Sequence, residues 1–169
     1  MRGLKFAAGL VAVVLLHLAG VRLLDGFFRV ADLLLVVVLF TALGGSLLGG
    51  MLAGLVAGLV ADTLTGGFYG MYGFAGTIVG YGAAFAAQRL VIQRATAIWL
   101  VFSAGAAIQQ MVVIGLSLVL LEDPALPGFV PVVLKVAVTG LFGVGSQVAG
   151  RRLSRLFGVW KKSRTARLR

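Results

Sequence analysis

From Leu33 to Ala61 the chain carries no charged residue, and that run decides the solvent in which the protein folds. With its flanks, Ala31 to Leu64, a single helix would reach about 50 Å at 1.5 Å per residue. That exceeds the ~30 Å hydrocarbon core of a bilayer, so the run must fold back on itself. Gly44-Gly45-Ser46 and Gly49-Gly50 supply the hinge, which predicts two rather short spans. Composition agrees with a lipid solvent. Hydrophobic residues make up 60% of the chain and charged residues 12%, where a soluble domain carries about 45–50% and about 25%. The mean hydropathy is +1.09.

An unpaired backbone group in hydrocarbon costs several kcal/mol, which leaves helices or a closed barrel as the spanning structures. Barrel strands alternate apolar and polar residues; these runs do not. The expected fold is therefore all-α, a compact bundle of six transmembrane helices. The first span is Phe6 to about Val21, behind the positive flank of Arg2 and Lys5, and is read as an uncleaved span rather than a signal peptide. Leu24 to Asp32 is a short polar loop. After the hinged pair, Thr65-Gly66-Gly67 ends the third span. The fourth covers Phe68 to Ala87, Gln88 to Arg94 is a basic connector, and the fifth runs from Thr96 to Leu121. An acidic, proline-bearing loop begins at Glu122-Asp123-Pro124 and reaches Pro131, and the sixth span runs from about Phe129 to Ala149.

Charge orients the bundle. With six spans, Arg2, Lys5, Arg89, Arg94 and the eight cations of Arg151 to Arg169 share one side, and Arg22 and Arg29 lie on the other. The excess of cations in short cytoplasmic loops then places both termini in the cytoplasm. Residues 1–150 are read as the transmembrane domain and 151–169 as a basic amphipathic cytoplasmic tail. In the tail, Leu153, Leu156, Phe157 and Trp160 form one apolar stripe among Arg151, Arg152, Arg155, Lys161 and Lys162. Such a helix suits the headgroup layer, with anionic lipid as its partner. Nucleic acid is not an expected partner.

Glycine is the second compositional anomaly, at 25 residues. Small residues let helix backbones approach closely in lipid. Gly50, Gly54, Gly58 and Asp62 recur every fourth residue and share one helix face. Gly66, Gly70, Gly73, Gly76 and Gly80, followed by Tyr81, mark a second small-residue face. Each face serves packing within the bundle or docking of a partner helix. Asp62 has two readings: a carboxylate turned to a partner or to water inside the membrane, or one close enough to the interface to be solvated, with the amides of Thr65 to Gly67 as its neighbours.

Other polar residues in the spans are few. Gln109 and Gln110, near the middle of the fifth span, are read as interhelical hydrogen-bonding groups. Lys135 is expected to snorkel outward, the alternative being a pair with Asp62, Asp32 or Glu122. His17 is expected to be buried and hydrogen-bonded. No cysteine is present, and no hydrolase, metalloprotease or nucleotide-binding motif appears. Neither an enzyme activity nor a cofactor or metal is expected.

Gly58-Leu59-Val60-Ala61-Asp62-Thr63-Leu64-Thr65-Gly66-Gly67-Phe68-Tyr69-Gly70 has the form G-L-x-x-D-x-x-x-G-x-x-x-G, and Gly80-Tyr81 follows ten residues later. Over about residues 30 to 90 the chain resembles the MreD family of rod shape-determining membrane proteins. The resemblance implies a non-enzymatic scaffold of the bacterial elongation machinery in the plasma (inner) membrane, partnered by MreC. RodA and a class B penicillin-binding protein would complete the complex, with MreB filaments inside the cell. It also implies an architecture similar to the substrate-binding components of energy-coupling-factor vitamin transporters. Gly58, Asp62, Gly66, Gly70, Gly80 and Tyr81 carry the family pattern, as architectural positions. The competing expectation is a vitamin-like substrate-binding subunit of a transporter, with Gln109, Gln110, Tyr72 and Asp62 as its polar candidates.

Overall fold

The computed structural model describes residues 2–23, 32–65, 68–89, 94–122 and 127–166, and within them the side chains of 2–5, 17–23 and 148–166 are not described. Among the described residues there are six α-helices and no strand: α1 (Arg2–Leu23), α2 (Leu33–Gly44), α3 (Leu47–Thr65), α4 (Met71–Arg89), α5 (Ala95–Leu120) and α6 (Phe129–Ala166). The chain breaks at Gly45-Ser46, the first of the two glycine sites expected to act as the hinge. Gly49 and Gly50 lie inside the first turn of α3, where the Ser46 hydroxyl receives the Gly49 amide at 3.1 Å. Serine is a favoured N-cap because its oxygen satisfies an orphan amide.

The fold-back leaves α2 only 12 residues long, about 18 Å, and α2 is the middle of the bundle rather than its edge. Its Leu35, Val36, Leu39 and Ala42 are buried with Val79, Ala83 and Ala84 of α4 and Ile98, Phe102 and Ala106 of α5. The Phe40 ring meets Phe102 edge-on at 5.1 Å. α3 and α4 form the most extensive helix pair, α5 packs on α6, and α1 rests chiefly on α2.

By length and apolar composition, α3, α5 and the Phe129–Gln147 part of α6 qualify as membrane spans. Their outward faces are apolar too: Leu48 and Leu52 of α3, Met111 and Val119 of α5, and Phe129 and Val130 of α6 are exposed. In water so large an apolar surface is a liability; in lipid it is the solvated surface. The chain is a membrane protein by this measure. A broad apolar groove of about 740 Å³ separates α1 from α3 across α2.

One element boundary differs from the sequence reading. α4 begins at Met71, because Gly70 has φ +99°, a left-handed backbone that glycine adopts without a Cβ penalty and that ends any helix reaching back to Phe68. α6 takes Pro131 into its first turn, where a missing amide costs nothing, and continues without a break to Ala166; its apolar part, Phe129–Gln147, lies where the sixth span is expected. The expected loop at Leu24 to Asp32, apart from Asp32 itself, lies outside the described residues. So do Asp123-Pro124 and residues 90–93 of the basic connector.

Candidate functional site

The glycine spacing works through close approach of two backbones. Gly50 faces Gly80, Gly54 faces Gly76, and Gly58 faces Tyr72 and Gly73. As one number rises the other falls, so α3 and α4 run antiparallel in a fixed register. A Cβ on Gly54 would collide with the Gly76 carbonyl, and one on Gly50 with the Gly80 carbonyl. These glycines make a seam in which main chain lies on main chain. Ala53, Ala57, Ala61, Ala75, Ala83 and Ala84 fill its flanks and are buried.

One turn beyond Gly58 the same face of α3 presents Asp62. Since Gly58 sits on the first turn of α4, Asp62 is carried to the start of that helix. Its carboxylate is 1% exposed and receives the amides of Gly70 (3.0 Å), Tyr72 (2.9 Å) and Gly73 (3.1 Å). The Met71 amide bonds the Phe68 carbonyl, and Phe74 begins the regular ladder to Gly70. Every amide from Gly70 to Phe74 thus has an acceptor, at a helix end that normally leaves four unsatisfied. The positive end of α4 also stabilises the negative charge. Asp62 is thus buried rather than solvated, and among the described residues the backbone amides it holds are those of the next helix's first turn, not that of Thr65. Gly66 and Gly67 lie outside the described residues.

A second polar centre joins α2, α5 and α6. Asp32 caps α2 through its Oδ1, which receives the Leu35 amide at 3.0 Å. Its Oδ2 receives Gln109 Nε2 at 3.0 Å and lies 3.4 Å from Lys135 Nζ. Lys135 also donates to Gln110 Oε1 at 3.2 Å and stands 5.4 Å over the Tyr72 ring. One turn on, Thr139 accepts the Asp32 amide at 3.4 Å. Lys135 therefore points inward, and the snorkelling expectation is corrected: a carboxylate and an amide oxygen solvate the ammonium inside the bundle. Gln109 and Gln110 are interhelical hydrogen-bonding groups, as expected.

The cluster predicts a stability phenotype. Lys135→Met leaves the Asp32 charge enclosed without its cation, and removing one partner of a buried pair costs about 3–5 kcal/mol. The double variant Asp32→Asn with Lys135→Met removes both charges and should regain most of that loss, read as the thermal midpoint in detergent. An unchanged midpoint for Lys135→Met would show that the pair contributes nothing.

Among the remaining candidates, Tyr81 is exposed on α4, stacked on Phe85 with ring centroids 6.2 Å apart, and Arg89 lies 4.6 Å over Phe85. The side chains of His17, Arg151, Arg152, Arg155, Lys161 and Lys162 are outside the described set. Among the described residues no group of three His, Cys, Asp or Glu could hold a metal ion. The sequence reading did not single out Thr139. Its one signal was its position four residues after Lys135, on the same helix face.

The model of the family described as rod shape-determining protein MreD matches residues 4–130. The chain belongs to the MreD family. No curated protein and no solved structure matches it. The MreD match takes in the glycine seam, Asp62, Asp32 and the two glutamines, while α6 from Pro131 on, with Lys135 and Thr139, lies beyond it. Membership makes this a membrane protein of the bacterial cell-shape system.

Proposed function

We propose that the chain is a non-enzymatic scaffold of the cell-wall elongation complex that crosses the plasma (inner) membrane six times with both termini in the cytoplasm. It binds MreC directly and, with MreC, holds RodA and a class B penicillin-binding protein. MreB is reached from the cytoplasmic side, where the cations of the last part of α6 meet anionic headgroups. The observation that carries this reading is the MreD match across residues 4–130.

The geometry supports association over chemistry. Asp62 has both oxygens bonded to backbone amides, and Asp32 and Lys135 are bonded to each other and to the glutamines. The cavity beside Asp32 measures about 10 Å³, far below the roughly 300 Å³ at which ligand pockets begin. In the larger groove, the Thr41 hydroxyl donates to Val37 and the Ser46 hydroxyl accepts from Gly49, while Phe6, Phe40, Leu52 and Val56 make the rest of the wall apolar, which suits lipid or helix rather than a vitamin. The seam glycines Gly50, Gly54, Gly58, Gly76 and Gly80 act on the partner by holding the α3–α4 pair in shape, and Tyr81 belongs to its outward surface.

Co-purification tests the reading. The tagged full chain, extracted in mild detergent from cells making both proteins, should retain MreC and the elongation synthase. Recovery of paired ATPases and a coupling membrane subunit in their place would assign it to transport.

A further inference from the structure

Gln109 is 4% exposed, and its Oε1 receives no hydrogen bond from any described residue. The amide cannot simply be turned over. Its Nε2 donates to Asp32 Oδ2, and reversal would set the amide oxygen against a carboxylate oxygen, acceptor against acceptor. The oxygen is therefore held away from Asp32 and needs a donor of its own, because an unsatisfied buried acceptor carries the full cost of its desolvation.

A cavity lies against this residue, between α2, α3, α4 and α5. Its polar wall is Asp32, Tyr72 and Gln109, and its apolar wall includes Val38, Ala57 and Gly58. At about 10 Å³ it takes one water molecule and nothing larger; a buried water needs roughly that space and two to four polar partners. We propose that one water molecule is bound here as a structural part of the bundle, donating a hydrogen bond to Gln109 Oε1 and completing the Asp32–Lys135 cluster. A metal ion is a poorer occupant. Lys135 already balances Asp32, so a further cation would leave an enclosed net positive charge, which is expensive away from water.

Two measurements on the purified full-length chain test this. A density map that resolves ordered solvent should show one peak within hydrogen-bonding distance of Gln109 Oε1. A protein side chain at that place, or a dry cavity, would overturn the proposal.

The second is a double-mutant cycle. Val38→Ile adds one methylene to the cavity wall and displaces the water. In the native background it should lower the thermal midpoint by several degrees, because Gln109 Oε1 loses its donor. In a Gln109→Met background there is no amide oxygen to strand, and the same change should leave the midpoint unaltered or raise it. Equal losses in both backgrounds would mean plain overpacking and reject the water. The native midpoint should also be the same in sodium and in choline salts; a sodium-dependent midpoint would assign the site to an ion instead.

Discussion

Gly54→Leu should abolish the folded α3–α4 pair, and with it recovery of MreC. Inserting carbon into a packed interior typically costs about 1–3 kcal/mol and more where backbone must move. At Gly54 the obstacle is the Gly76 carbonyl, which cannot rotate aside as a side chain would. Even Gly54→Ala should therefore lie at the upper end of that range, and leucine well beyond it. Gly82 supplies the control, since a Cβ there meets nothing within 4 Å. Gly82→Ala should be neutral or stabilising by up to about 1 kcal/mol, the ordinary preference for alanine in a helix. Size exclusion and thermal unfolding in detergent read both. Equal behaviour of the Gly54 and Gly82 variants would remove the seam from the account of this fold.

Asp62→Ala should be the most damaging polar substitution. It strands the amides of Gly70, Tyr72 and Gly73 in a site closed to water, at about 1–3 kcal/mol for each unsatisfied group. Asn should be intermediate, because it keeps one acceptor oxygen and turns an amide NH2 group, itself a donor, toward the remaining donors. Hydrogen exchange provides a readout independent of overall stability. The first amides of a helix ordinarily exchange fast, lacking intrahelical partners. Here those of Tyr72 and Gly73 should be protected in the native chain and lose that protection selectively in Asp62→Asn. Fast exchange at both in the native chain would contradict the cap.

How much of this was legible beforehand depended on the distance over which each residue finds its partner. The seam was legible because both of its faces repeat locally, at Gly50, Gly54 and Gly58 and again at Gly73, Gly76 and Gly80. The break at Gly45-Ser46 was legible because the uncharged run is too long for one span. Asp62 was legible as a closing residue of the stripe, but not in its role: its donors lie eight to eleven residues ahead, across a turn whose shape Gly70 decides. Lys135 was misread for a stronger version of the same reason. Asp32 is remote in sequence, and an isolated lysine near a helix end is indistinguishable from one that reaches for the interface. The MreD resemblance rested on the stretch around Asp62, and the family match extends it to residues 4–130.

Two main chains that touch through missing side chains resemble a rack whose teeth are already meshed. Shifting α3 along α4 by one residue would bring Met51 or Leu55 to the places now taken by Gly50 and Gly54, and neither fits against a carbonyl. Sliding of one helix past its neighbour, a motion on which many membrane machines depend, is therefore denied to this half of the molecule. Any sliding that the bundle allows is left to contacts such as those of Gly140 and Gly143 of α6, whose neighbours are the side chains of Ser103, Trp99 and Phe102 and can turn aside where a carbonyl cannot.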